Sequence, residues 1–393
     1  MTLSSTTRHK ARYLVPLGAA VVTAAIVLIP QAASGAQHPD LPPQTAAQLL
    51  AALERAKVPQ FSGTTVETTR LGLPSLDDVN LPGAISTGDG SPLTQIVTLL
   101  TGSHTAQLAY GGPDKQRIAI FLSDLSETDI VHNGTDVWTY SSDSNSVSHS
   151  TVKSDSGETQ TPEAADPVDP TKAAEKALAE IDPSTKVTVD RTAEVAGRPA
   201  YQLDLTPRDD RTLVGSVRIA LDSATSLPLR VEIWSRNNTS TPAFSVGFTS
   251  ISMKAPSAST FDFTKPPTAA MQSSPLEGPV PAGVHVKGGE GPSMPKFAHD
   301  SVVGKDWTSV FIGQLASSTD PVAAVGPNGG AVSGPNGGES LTGLLDTLGT
   351  QVAGGHLITT TLLSILITDD NRVLVGAVTP AYLEQVAANQ AAQ

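Results

Sequence analysis

A two-residue rhythm in the middle of the chain most narrows what it can fold into. Tyr201, Leu203 and Leu205 alternate with Gln202, Asp204 and Thr206. Val217, Ile219 and Leu221 do the same against Ser216, Arg218 and Ala220, and Leu229, Val231 and Ile233 against Arg230, Glu232 and Trp234. Successive strand side chains point to opposite faces, so this pattern predicts antiparallel strands with one buried and one wet face. Phe244, Val246 and Phe248 keep the parity, but Ile251 and Met253 slip by one, which predicts a β-bulge near Thr249-Ser250. The rhythm also runs earlier, where Arg117, Ala119 and Phe121 alternate with Ile118, Ile120 and Leu122. Asn133-Gly134 falls between two such runs and predicts a hairpin with a type I′ turn.

Few helices are expected around these strands. Leu49, Leu50, Leu53 and Ala56, following Pro42-Pro43, give one amphipathic helix, and Gln60 to Leu71 reads as a strand rich in threonine. Residues 72–92 carry the Gly, Pro and Asp of a loop; Leu93, Ile96, Val97 and Leu100 then share one face of a short helix. Polar residues 153–168 read as a flexible connection. Asp169-Pro170 opens a helix with Ala174, Ala177, Leu178 and Ile181 on one side, stopped by Pro183. The expected organisation is a leader at 1–36, a main domain at 37–267, a Pro/Gly-rich linker at 268–304 and a terminal segment at 305–393. In that last segment Thr361–Ile367 and Val373–Val378 flank a turn, and Thr379-Pro380 opens a final helix. Gly326-Pro327-Asn328-Gly329-Gly330 recurs as Gly334 to Gly338, but neither copy has the Lys-Ser/Thr of a phosphate-binding loop.

The leader sets the expected compartment. Arg8, Lys10 and Arg12 precede an apolar run from Tyr13 to Ile29, and Ser34-Gly35-Ala36 fits a signal-peptidase site. Two outcomes are open: cleavage after Ala36, or retention of the run as a signal anchor, since it approaches the roughly 20 residues that span a bilayer. Without a twin-arginine pair, the general secretory route is expected. The chain has no cysteine, which excludes disulfides, thiolate chemistry, cysteine-ligated zinc and an acylated lipobox. Losing the three basic leader residues takes the formal net charge from -13 to -16, which argues against nucleic acid and anionic membrane surfaces as partners.

No catalytic constellation stands out. Ala84-Ile85-Ser86-Thr87-Gly88 lacks the first glycine of a nucleophile elbow, and there is no H-E-x-x-H. His132 and His149 are the one pair that adjacent strands could bring together, and a metal site would need further ligands. Asp77-Asp78, Asp209-Asp210 and Asp369-Asp370 sit in turn-like surroundings, where aspartate bonds nearby backbone N–H groups. The expectation is a protein without enzymatic activity, cofactor or metal. Trp138, Tyr140 and Tyr201 either line a ligand cavity or fill a core. Arg70, Arg117 and Arg198 either reach a ligand head group or stay solvated at strand edges.

One stretch carries a family resemblance. Leu178-Ala179-Glu180-Ile181-Asp182-Pro183, a strand, and then Ala196-Gly197-Arg198-Pro199-Ala200-Tyr201-Gln202-Leu203-Asp204-Leu205 resemble the LolA/RseB superfamily, closest to its actinobacterial LolA-like branch. Phe244–Phe248 and Phe261–Pro267 look like the last strands and exit of that domain, so the resemblance spans roughly residues 44–267. It implies an α+β fold: an open antiparallel half-barrel with covering helices, joined here to a small C-terminal α+β segment. It further implies an exported protein that holds acyl chains of a lipid or lipoprotein in a dry cavity. Arg70, Trp138, Tyr140, Tyr201, Leu203, Leu205, Phe244 and Phe248 are the candidate cavity residues. The alternative is a regulatory sensor of the RseB kind. The partners implied are a membrane anti-sigma factor for the sensor, or an ABC transporter for a carrier.

Overall fold

The computed structural model describes residues 39–72, 101–121, 126–151, 183–272, 300–314, 349–370 and 372–391. The leader, the helices expected at 93–100 and 169–182, the repeated glycine loops and most of the linker lie outside the described residues. Helix α1 (Ala46–Arg55) begins at a capping box: Thr45 Oγ1 accepts from the Gln48 N–H, and the Gln48 side chain accepts from the Thr45 N–H.

The alternating segments build two antiparallel meanders. The first comprises β1 (Phe61–Arg70), β2 (Thr101–Gly112), β3 (Lys115–Phe121), β4 (Glu127–Asn133), β5 (Asp136–Ser141) and β6 (Ser146–Thr151). The second comprises β7 (Thr185–Val195), β8 (Arg198–Pro207), β9 (Val214–Asp222), β10 (Pro228–Ser235) and β11 (Phe244–Ser252). They join through β1 and β11 into one open sheet of 12 strands in the order β12-β6-β5-β4-β3-β2-β1-β11-β10-β9-β8-β7. The edge strand β12 (Ala270–Gln272) falls in the stretch expected to be linker and pairs in parallel with β6.

The turns follow from local chemistry, with one shift from expectation. Asn133 pairs with Asp136, so the two turn residues are Gly134 and Thr135, and of these only Gly134 has positive φ, at 65°. That is the φ pattern of a type II′ turn with glycine first, not the type I′ turn on Asn133-Gly134 that the dipeptide suggested. The type I′ pattern occurs instead at Ala196 (φ 51°) and Gly197 (φ 73°), between β7 and β8. The expected bulge is present. Thr65 pairs with Phe248 and Thr64 with Ser250, leaving Thr249 as the extra residue.

The terminal segment, together with β13 from the stretch expected to be linker, forms a second, six-stranded sheet in the order β13-β14-β18-β17-β16-β15. Its strands are β13 (Asp300–Val303), β14 (Val310–Gln314), β15 (Thr350–Val352), β16 (Gly355–Thr359), β17 (Ser364–Thr368) and β18 (Arg372–Gly376), followed by α2 (Pro380–Ala391). Val310, Leu366, Leu374, Val378 and Leu383 form its core. This sheet docks on one end of the large one through backbone and side chain alike. The Leu213 N–H donates to the Ala377 carbonyl (2.9 Å) and the Thr379 N–H to the Arg211 carbonyl (2.7 Å). Ser235 Oγ donates to the Thr361 carbonyl (2.8 Å), and Trp307 Nε1 to Thr185 Oγ1 (2.7 Å).

Candidate functional site

Cross-strand partners in an antiparallel sheet share a face, so the register shows what each face presents. One row runs Val189, Leu203, Ile219, Val231, Val246, Glu67, His104. The row beside it runs Val187, Leu205, Val217, Ile233, Phe244, Thr69. Beyond Phe248 the same face continues as Thr65, Ala106 and Ile120, and in the next row as Leu108, Ile118 and Ile130. The face is therefore aliphatic from β7 to β11, crossed by a polar seam on β1 and β2, and aliphatic again from β2 to β4.

Two elements cover parts of it. Helix α1 lays Leu49, Leu50 and Leu53 on Tyr201, Leu203, Leu221 and Ile219, where Leu203 and Leu221 are each 1 % exposed. Fully burying a leucine there contributes about 2 kcal/mol. Tyr201 keeps its hydroxyl satisfied by donating to the Pro42 carbonyl at 2.8 Å. At the other end Leu362, Leu363, Trp307 and Ala377 of the small sheet pack with Val214, Val217, Ile233, Ala243 and Phe244. Between these covers Val231, Val246, Ala106, Leu108, Ile118 and Ile120 stay half-buried, a stripe of aliphatic side chains across the middle of the sheet.

The eight candidate cavity residues divide between the faces. Tyr201, Leu203, Leu205, Phe244 and Phe248 lie on the aliphatic face. Tyr201, Leu203 and Leu205 belong to the core under α1, Phe244 packs under the small sheet, and Phe248 meets the ring of Phe61 edge-on at 5.7 Å. Trp138 and Tyr140 project from the opposite face, paired with Val131 and Asp129 on β4. There Trp138 stacks between His149 (4.0 Å) and Phe263 (5.2 Å). Arg70 is exposed at the end of β1, paired with Thr101.

The other arginines are structural. Arg117 donates to both Asp129 oxygens (3.0 and 2.8 Å) and to the Thr260 carbonyl, tying the exit segment onto the sheet. Arg198, in the Ala-Gly-Arg-Pro-Ala-Tyr motif, donates to both oxygens of Asp222 (2.7 and 3.0 Å), whose side chain is 0 % exposed. Burial pushes the Asp222 carboxyl up, but the bonds from Arg198 and from the Thr225 hydroxyl and N–H outweigh it and hold it below the usual carboxylate value. The motif is thus a tight turn followed by a buried clamp.

A cleft of about 590 Å³ opens on the face opposite the aliphatic stripe, between Ser62, Thr64, Gln107, Arg117, Glu127 and Thr260. Burial raises the Glu127 carboxyl, Asp129 adds to the rise and Arg117 opposes it. His132 and His149 project from opposite faces of adjacent strands, so they do not form a metal pair. His132 Nε2 is 2.9 Å from the Gly134 carbonyl, and His149 Nε2 is 2.7 Å from Asp136. Among the described residues no group of three or more His, Cys, Asp or Glu could hold a metal ion. Among them, too, no helix is long and apolar enough to cross a membrane.

Sequence reasoning passed over the seam itself. Glu67 and His104 sit opposite each other at its centre, Nδ1 to Oε2 3.9 Å apart. A lone carboxylate in a threonine-rich strand gave little sign of facing inward. Only the register with β11 and β2 places it among aliphatic neighbours.

The described residues thus form an α+β protein: a large open antiparallel sheet with few helices and a small C-terminal α+β unit. Residues 122–266 match the family model of the MucB/RseB N-terminal domain. Among solved structures, MucB in the MucA/MucB complex of Pseudomonas aeruginosa is 16 % identical, with 87 % of this chain and 96 % of that one covered and a TM-score of 0.37. The LolA superfamily protein NE2245 from Nitrosomonas europaea is 12 % identical, covering 56 % and 99 %, with a TM-score of 0.21. A putative outer membrane lipoprotein-sorting protein domain from Vibrio parahaemolyticus is 11 % identical, covering 53 % and 91 %, with a TM-score of 0.20. No protein of curated function matches the chain by sequence.

Proposed function

We propose that this is an exported, non-catalytic binding protein that takes acyl chains of a lipid or lipoprotein on the aliphatic face of its open sheet. The observation that carries this reading is the half-buried stripe Val231, Val246, Ala106, Leu108, Ile118 and Ile120, which lies between the two ends that other described elements cover. Transfer of an acyl chain from water onto such a surface releases about 0.8 kcal/mol per buried CH₂, with no bond made or broken. The leader supports an extracytoplasmic site of action. A fluorescent fatty acid should bind with a Kd on the order of micromolar, equivalent to roughly 8 kcal/mol. Failure of several lipids and acylated peptides to bind would sink the reading.

A regulatory role is the second reading, favoured by the family match to a MucB/RseB domain together with the docked small sheet. Here the partner is the outer domain of a membrane anti-sigma factor, and acyl binding gates that contact. Co-purification of such a partner with the full chain, reduced on adding lipid, supports regulation; partner binding indifferent to lipid refutes the gating.

A further inference from the structure

The polar seam on β1 and β2 separates the aliphatic rows of β7–β11 from those of β2–β4. Four aliphatic residues in succession, Leu203, Ile219, Val231 and Val246, lead along one row to Glu67 and His104. His104 is 6 % exposed, yet its Nδ1 has no hydrogen-bond partner. Buried polar atoms are seldom left so, and each exception asks for a physical cause. The neighbouring hydroxyls do not supply one. Thr69 Oγ1 donates to Glu67 Oε1 at 2.9 Å, and Thr65 Oγ1 points to the Ala106 carbonyl at 3.5 Å.

That leaves one imidazole nitrogen and one carboxylate oxygen facing each other across 3.9 Å. The gap is too long for a hydrogen bond, but it is the base of a triangle whose apex lies about 2.8 Å from each atom. With the His104 proton on Nδ1, a group at that apex accepts from Nδ1–H and donates to Oε2. A hydroxyl does both with a single oxygen. A carboxylate would set its charge against Glu67, and a bare ester offers no donor. Nδ1 is closed to bulk water, while Glu67 keeps 27 % of its side chain exposed, so entry of the group at the apex requires the Glu67 side chain to turn outward.

We propose that Glu67 and His104 are the polar anchor of the acyl site, holding one hydroxyl of a neutral, hydroxyl-bearing amphiphile whose chain lies along the aliphatic rows. The assignment rests on the acyl-binding reading and names the head-group chemistry that it leaves open.

The test titrates the full chain with three probes of equal chain length: 1-monolauroylglycerol, methyl laurate and laurate. The hydroxyl probe should bind about tenfold more tightly than the ester, the loss expected for leaving a buried polar group unpaired, and laurate should bind no better than the ester. His104→Phe, which keeps the ring, and Glu67→Met, which keeps the length, should each bring monolauroylglycerol down to methyl laurate while leaving the ester's affinity in place. Equal binding of ester and hydroxyl probe by the native chain overturns the anchor and leaves acyl binding standing. So does a preference that survives in whichever variants fold. If none of the three probes binds the native chain, the acyl-binding reading falls and the anchor with it.

Discussion

Replacing Arg198 by methionine would leave the Asp222 carboxylate buried without its cation. In the native chain both Asp222 oxygens are met by Arg198, and Oδ2 also accepts from the Thr225 N–H (2.9 Å) and hydroxyl (2.7 Å). Removing one partner of a buried pair costs about 3–5 kcal/mol, because the remaining charge stays in a poor solvent. Thr225 keeps its two bonds, so the lower end, about 3 kcal/mol, is the expected loss. Urea unfolding followed by tryptophan fluorescence should show it as a midpoint lower by about 1 M, for an m-value of about 3 kcal/mol/M. The effect has a pH signature. In the native protein the depressed Asp222 pKa adds stability that is complete above the unfolded value of about 3.9 and is lost as pH falls through the folded one. In the variant, burial acts without the arginine and raises the carboxyl, so the penalty is greatest near neutrality and narrows as pH approaches about 4. Adding Asp222→Asn to Arg198→Met should recover much of the loss. A shift below about 0.3 M, or a penalty that grows on acidification, would refute the clamp.

Three further outcomes follow from other parts of the structure. Asp209, held by the Arg211 side chain first and its backbone N–H second, should titrate at about 2 by carboxyl-carbon NMR and rise part of the way toward the ordinary range in Arg211→Ala, which keeps the backbone bond; its small contribution to stability is present above the unfolded pKa and lost as pH falls through about 2. Thr45→Ala removes half of the capping box and should cost about 1 kcal/mol in thermal unfolding, with loss of helical signal from α1. Leu203→Asp puts an unpaired charge under α1, where the native side chain is 1 % exposed, and should cost more than about 4 kcal/mol and abolish fatty-acid binding; a folded, lipid-competent variant would show that this core is not part of the acyl site.

Much of the sheet was legible because its strands alternate cleanly. β8, β9 and the Val231–Ile233 part of β10 kept their expected faces, whereas Leu229 sits at a register shift and packs with Ala200 and Ala220; the slip at Ile251 located the bulge at Thr249. Helix α1 was legible from Leu49, Leu50 and Leu53, but its cap at Thr45 was passed over in favour of the prolines before it. The turn at Asn133-Gly134 was misplaced by one residue, because a dipeptide preference does not fix which residues close the ladder. The candidate site was less legible. Alternation within a strand gives two faces without saying which side of the sheet each joins, and Trp138 and Tyr140 proved to share a face with Asp129 and Arg117 rather than with Leu203. Glu67 and His104 were invisible for the same reason. Their neighbours come from β11, far away in sequence.

The join between β1 and β11 has a consequence for how the protein reaches this state. Within each meander, strands pair with their sequence neighbours, and such local contacts close quickly. The seam between the meanders does not: Thr249 reaches back to the Thr64 carbonyl across 185 residues of chain. During synthesis, the first meander therefore waits with β1 as an edge paired on one side only until the whole second meander has emerged. An exposed strand edge is a template for pairing with another chain. The threonines and the single carboxylate of β1 are then useful before any ligand arrives, since a polar, charge-bearing edge resists that mispairing better than the aliphatic rows on either side would. The same residues that interrupt the finished face thus protect the half-made sheet, and docking of the two meanders on this strand is the step expected to be slowest in refolding.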